Sequence, residues 1–273
     1  MCKSVESVSS IGQFVEWVED VLARFTKSDG YEAAWFRGVG DSAYPLIPGL
    51  YRTDQGQEDF SDAELRHEFA RRALPLVAER APRDDWEWYF LMQHFRAPTR
   101  LLDWTDAALV ALYFAFTSAS IGQEGGPRPA VWVLNPWTLN LKTEHFGPVG
   151  RGWEGIAEYL PPLSPSYTPR NRIPQYPIAL DPTFTAQRML VQHSHFTLHG
   201  SDPRSLNHMT TELGLNDALF QVVIEADDEY LDYMKQILNV LGITETAVFP
   251  DLEGLARELR FEYGLDRTRP KVS

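Results

Sequence analysis

The stretch QHFRAPTRLLDWTDAALVALYFA, residues 93–115, sets Gln93, His94, Arg96, Thr99, Arg100, Asp103 and Asp106 among residues apolar enough to build a core. Buried charge is costly unless it is paired and hydrogen-bonded. A segment that mixes core residues with Arg, Asp and His therefore forms an internal ion-pair lattice or lines a pocket. Read with Phe36-Arg37-Gly38 upstream, it points to a ligand-binding cleft.

Working outward, Ala97-Pro98 reads as a loop and Arg100–Asp103 as a short strand. Asp106 then stands where it would cap a helix from Ala107 to about Ser120. Upstream, Asp84 or Asp85 caps a helix from Trp86 to Phe95 that is apolar nearly all round. Ser61 with Glu64 forms a capping box for a long helix that Pro75 ends or kinks. Ala33–Phe36 reads as a buried strand with Arg37 and Gly38 at its end. Before it, the three-four spacing from Ile11 to Phe25 predicts a helix starting at Ser10.

Downstream, Ala130–Leu134 is a strand stopped by Asn135-Pro136. Residues 136–177 carry repeated prolines and read as a meandering surface segment with one short helix near Trp153–Leu160. Strands follow at Ile178–Leu180, His195–Leu198 and Leu219–Ile224. A helix starts near Asp227 and stops at Gly242, and Phe249-Pro250-Asp251 opens a last helix to about Tyr263. No internal repeat and no polar linker divides the chain. The expectation is one α+β domain over residues 1–265, with small mixed or antiparallel sheets flanked by helices, and a loose tail at 266–273.

The 273 residues suffice for a full hydrophobic core, and 8 Trp, 15 Phe and 11 Tyr exclude disorder. A net charge of −13 and a pI near 5.0 disfavour a dedicated nucleic-acid binder. Arg66, Arg71, Arg72, Arg80 and Arg83 cluster along one stretch, which reads as a solvated helix face. The single cysteine, Cys2, allows no disulfide framework or thiolate metal site. No apolar run is long enough to cross a bilayer and no signal-peptide profile opens the chain, so a soluble, cytoplasmic protein is expected.

Three blocks resemble the FRG domain, a family named for a Phe-Arg-Gly motif. The first runs Trp35-Phe36-Arg37-Gly38-Val39-Gly40-Asp41 and on through Leu46–Arg52. The central block is Gln93-His94-Phe95, then Pro98–Thr105 and Ala111–Ala115. The last is Gly242-Ile243-Thr244 with Val248–Leu255. The resemblance implies a domain found in bacterial and phage proteins, some of them effectors in antiviral defence, and leaves activity open.

More distantly, the order of strand-Arg-Gly, helical insert, polar strand and Ala-rich aromatic helix resembles the NAD-binding core of arginine-type ADP-ribosyltransferases. That resemblance implies NAD as substrate, for group transfer or glycohydrolysis, with Arg37 as the dinucleotide-binding arginine. Arg37, His94 and Asp103 are the catalytic candidates. Arg37, Gly38, Gln93, Thr99, Arg100 and Gln192 are the candidates for holding the nucleotide. A strand-end guanidinium suits bidentate phosphate binding, and Gly38 would let a ligand approach the backbone. The chain departs from that branch at Leu101–Thr105, which is not Ser-Thr-Ser. It departs again at 186–196, where Gln187 and Gln192 stand and no carboxylate does, so catalysis would need Asp103, Glu225 or another carboxylate, or be absent.

Structural readings stand beside these. Arg37 and Asp103 either pair to fasten two strands or meet a ligand, and His94 is either a core histidine or a ligand contact. Trp104 and Tyr113 read as core. His193, His195 and His199 alternate, without a carboxylate at metal-ligand spacing, so no metal is expected. A non-catalytic module that docks a protein partner is the alternative function. The third reading is a metal-dependent nuclease or hydrolase built on His94, Asp103 and Asp251. Nucleic acid would enter only as a target of modification, and no membrane is involved.

Overall fold

The computed structural model describes residues 6–29, 33–52, 62–77, 81–119, 128–143, 158–160, 173–181, 194–225 and 227–265. Its strands are β1 (Glu6–Val8), β2 (Trp35–Val39), β3 (Leu101–Thr105), β4 (Ala130–Leu134), β5 (Ile178–Leu180), β6 (Ser194–Leu198) and β7 (Leu219–Ile224). They form one mixed sheet in the order β1-β7-β4-β2-β3-β6-β5. Only β1 and β7 run parallel among these pairs. The fold is α+β, with one continuous sheet in place of the several small ones expected. Gln187, Gln192, His193, the tail and residues 153–157 of the expected Trp153–Leu160 helix lie outside the described residues, and its last three residues, 158–160, form a turn.

The helices are α1 (Ile11–Asp29), α2 (Asp62–Ala73), α3 (Asp85–His94), α4 (Ala108–Ser118), α5 (Pro136–Lys142), α6 (Leu206–Met209), α7 (Asp228–Val240), α8 (Glu245–Val248) and α9 (Leu252–Glu262). Asp84, Asp227 and Asp251 cap α3, α7 and α9 by accepting from the amides of Glu87, Tyr230 and Gly254. Asp106 does not cap α4. Thr105 Oγ1 accepts from Ala107 N at 3.1 Å, a local hydroxyl turn that starts the helix one residue later. α2 ends at Ala73, and Pro75 sits in a 3-10 turn at Leu74–Leu76. Four elements were not legible in the residues: β1, α6, α8, and α5, which Asn135 caps through the amides of Trp137 and Thr138. No helix among the described residues is long and apolar enough to cross a membrane.

Apolar side chains cover both faces of the sheet. Phe14, Val21 and Phe25 of α1 and Ala111, Leu112 and Phe116 of α4 pack with Leu231 and Met234 of α7 against Phe36, Val131, Val133, Phe220 and Val222. Trp35, Leu102, Trp104 and Leu134 pack with Leu139 of α5 and Leu206 and Met209 of α6. α3 adds Trp86, Tyr89 and Phe90 against Leu101, Phe196 and Leu198.

Strand β2 extends three residues beyond the expected Phe36, because its ladder with β4 runs from Trp35↔Leu134 to Val39↔Ala130. Gly38 therefore lies inside the strand, and a Cβ there would sit 1.9 Å from the Ala111 carbonyl oxygen and 2.5 Å from the Ala115 nitrogen. Gly40 meets Ser118 O in the same way at 2.0 Å. These glycines let the α4 backbone lie on β2, so Gly38 meets a helix closely as well as lining the cleft.

Arg100 ties α2, α3 and β6 to β3. Its Nε donates to Asp62 Oδ2 at 2.7 Å, Nη1 to His199 O at 2.7 Å and Nη2 to Tyr159 O. Its amide donates to the Tyr89 hydroxyl, which donates on to Asp62 Oδ1. Burial is the largest single influence and opposes the charge, but Asp62, Tyr89 and Tyr51 together outweigh it and the Arg100 pKa lies above its usual value. Beside this cation, buried His199 is held down to about 3, by burial first and then by Arg100.

Two outcomes follow from this packing. Gly38→Ala is expected to lose roughly 3 kcal/mol in urea unfolding, because helix and strand backbones must separate. The unfolded chain protonates His199 near 6.5, the folded protein only near 3. Between those values the unfolded state holds more protons, so stability is full above pH 6.5 and falls on acidification, by up to about 1.4 kcal/mol per pH unit. Urea midpoints at pH 7, 6 and 5 should fall more steeply for the wild type than for His199→Leu.

Candidate functional site

β2 and β3 are joined by one residue pair, Phe36↔Thr105. Beyond it the strands diverge, and a cleft of about 1050 Å³ opens between them. β2 supplies Arg37 to one wall. β3 supplies Asp103, the end of α3 Gln93 and His94, and the loop between them Thr99 to the other, and Tyr44, Tyr51 and Arg52 line it from the segment after β2. The volume is at the upper end of ordinary small-molecule sites, roughly 300–1000 Å³.

Among the described residues, the Arg37 guanidinium donates from Nη1 to the Asp103 carbonyl at 2.7 Å, across the split. The same nitrogen lies 3.8 Å from Asp103 Oδ2, an ion pair without a direct hydrogen bond. Arg37's side chain is 18% exposed and that of Asp103 is 57% exposed. Burial pulls the Arg37 pKa down to about 10; Asp103 acts against this, and Arg52 adds to it. Arg37 is thus still a cation at neutral pH, desolvated and only partly compensated.

Asp103 is oriented from the other side. Gln93 Nε2 donates to Asp103 Oδ2 at 2.8 Å, while its Oε1 accepts from Thr99 Oγ1. Thr99 Oγ1 in turn accepts from Leu101 N at 3.1 Å. One chain of bonds therefore runs from the start of β3 through the end of α3 to the carboxylate. His94 ends α3 in edge-to-face contact with Phe95, at 4.9 Å between ring centroids.

Arg96 is the one non-glycine residue with positive φ (60°) among the described residues. Its amide donates to Gln93 O at 3.0 Å and that of Ala97 to Met92 O at 2.9 Å. This paired pattern closes a helix with a left-handed residue, a position that usually holds glycine. An arginine there costs about 1 kcal/mol in backbone strain. Arg96 is among the residues that line the cleft.

Arg37, Gly38, Gln93, His94, Thr99 and Asp103 thus share one cleft. Arg100 is not among its lining residues; its guanidinium is spent on the lattice that holds β3 in place, and 1% of it is exposed. Gln192 lies outside the described residues. Asp251 caps α9 and does not line the cleft, which separates it from His94 and Asp103. His195 and His199 also part company, the first at a second cavity and the second in the core. No group of three or more His, Cys, Asp or Glu among the described residues could hold a metal ion.

Arg52 and Arg96 were not singled out as site residues in the sequence. The signal available for Arg96 was a helix end before Ala97-Pro98 with no glycine to turn it. With them, the described lining carries three arginines and a single carboxylate, in a protein of net charge −13. The cleft is a local basic site suited to an anion.

No curated protein and no solved structure matches the chain. The model of the FRG domain family matches residues 32–123, which span β2 to α4 and hold both walls of this cleft.

Proposed function

We propose that the cleft between β2 and β3 binds NAD or a related nucleotide, with Arg37, Arg52 and Arg96 facing its phosphates. The observation that carries this reading is the charge of the cleft: three guanidinium groups and one carboxylate, sized for a nucleotide, in an acidic protein. A desolvated guanidinium gains more from a phosphate than an exposed one, since water competes less. Tyr44, 53% exposed, offers an aromatic face at the cleft.

Asp103 supports a second reading, cleavage of the nicotinamide–ribose bond. It is the lone carboxylate on the described lining, held by Gln93 and largely exposed. In that reaction the ribose–nitrogen bond breaks and nicotinamide leaves with the bonding pair. Water then adds to the ribose carbon and gives its proton to Asp103, whose charge meanwhile opposes the developing cation. The wider resemblance to ADP-ribosyltransferases motivates this reading, and a role as a bacterial or phage effector rests on the same footing.

Isothermal titration with NAD and with ADP-ribose tests binding. Arg37→Ala is expected to weaken it at least about 30-fold, the ~2 kcal/mol of a charged hydrogen-bonded contact. Absence of heat with the wild type, or an unchanged affinity in the variant, removes the proposal. Arg96→Gly should relieve its left-handed residue, leaving stability unchanged or up to about 1 kcal/mol higher, while weakening the same ligands. Nicotinamide release that disappears in Asp103→Asn would establish cleavage; binding without release would establish a recognition site.

A further inference from the structure

Asp103 is a carboxylate in a cleft whose described lining also carries Arg37, Arg52 and Arg96, and a phosphate gains nothing from it. The group that a ligand turns to Asp103 therefore differs from the one it turns to Arg37. Which group that is follows from the direction of the hydrogen bonds behind the carboxylate. A backbone amide can only donate, so Leu101 N–H, 3.1 Å from Thr99 Oγ1, fills an acceptor position of that hydroxyl. The hydroxyl proton goes on to Gln93 Oε1, and Thr99 is buried, so water does not compete for it. This settles which end of the Gln93 amide faces which partner: the oxygen meets Thr99 and the nitrogen meets Asp103. Gln93 Nε2 then donates to Asp103 Oδ2 at 2.8 Å. Every bond in the chain runs toward the carboxylate, and Asp103 is held as an acceptor.

Its capacity is only partly used. Among the described residues Asp103 Oδ1 has no hydrogen bond, and the side chain is 57% exposed. Arg37 Nη1 stands 3.8 Å from Oδ2. A group that seeks an acceptor and a group that seeks a donor thus lie side by side. A cationic donor would satisfy the carboxylate but would face the three guanidinium groups; a neutral O–H meets no such repulsion. The ligand that suits both groups carries an anion and hydroxyls close together, which is the chemistry of a sugar phosphate. Adjacent ribose hydroxyls offer two donors, and the two carboxylate oxygens have lone pairs for both.

We propose that Asp103 binds the ribose hydroxyls of the ligand, so that the cleft selects ribonucleotides over 2′-deoxyribonucleotides. Gln93 and Thr99 are positioning residues that set the polarity of this contact. The assignment rests on the nucleotide reading of the cleft and holds whether or not the nicotinamide–ribose bond is cut.

The full chain is titrated by calorimetry with ADP-ribose and with its analogue that has 2-deoxyribose at both sugars. Both ligands keep the diphosphate and the adenine amino group, the other neutral donor that a carboxylate could meet. ADP-ribose is expected to bind at least about tenfold more tightly, as the loss of a hydrogen bond to a charged group predicts. Asp103→Ala should bind the two alike. Thr99→Val cannot donate to Gln93 and leaves its amide free to turn, so it should narrow the gap, while Thr99→Ser should keep it. Equal affinities in the wild type, or a gap that persists in Asp103→Ala, overturn the assignment and leave the nucleotide reading intact. Absence of heat with both ligands removes that reading and the assignment with it. The wild-type comparison needs no variant, so it stands even if a substitution disturbs folding.

Discussion

A single backbone pair, Phe36 with Thr105, joins the strands β1, β7, β4 and β2 to the strands β3, β6 and β5. Sheet order fixes this as the place where the molecule can open, since β2 is paired along its other edge with β4 and β3 with β6. Past the joint the facing edges part, and their backbone polar groups must find other partners. One of them, the Asp103 carbonyl, takes its hydrogen bond from the Arg37 side chain. The cleft is therefore a consequence of topology, and the arginine both spans it and remains open to it.

What keeps the opening in place is the packing on either side. α4 lies against β2 because two glycines leave its backbone room, and it anchors that strand to the core of α1 and α7. β3 is held by Arg100, whose donors reach Asp62, Tyr159 and His199. The two arginines of the family-matched region thus divide the alternatives that the residues left open. Arg100 has a full set of partners and forms the internal lattice, whereas Arg37 has one backbone acceptor and a carboxylate at 3.8 Å, and lines the pocket. Asp62 and the carbonyls around Arg100 offset its burial, whereas burial leaves Arg37 short of negative charge.

Much of this was legible residue by residue. The apolar runs at 130–134, 178–180 and 219–224 are strands with those bounds, because each is buried and paired on both edges or against a covered face. The Asp caps at 84, 227 and 251 follow from hydrogen-bonding rules that act within three residues. A local rule also failed at the start of α4, where Asp106 gives no cap: Ala107 is the N-cap residue, no side chain caps the helix, and the Thr105 hydroxyl takes the Ala107 amide. Three-residue β1 carries too little pattern to be read without its parallel partner β7. Gly38 shows the limit most clearly, since an invitation to a ligand and an invitation to a helix look the same in sequence, and only the position of Ala111 reveals the helix.

By itself, then, the chain of residues determined that Arg, Asp, Gln and Thr side chains would be carried into an apolar interior on one strand and one helix end, because hydrophobic periodicity and capping are local. Which of those side chains meet, and which are consumed in holding the core, was decided only by the tertiary structure. Arg52 and Arg96 joined Arg37 through contacts between segments far apart in the chain. His195 met Asp181 and Asp106 through strand register alone. Charge balance is a sum over neighbours in space, so the basic cleft exists only once the sheet has brought those neighbours together.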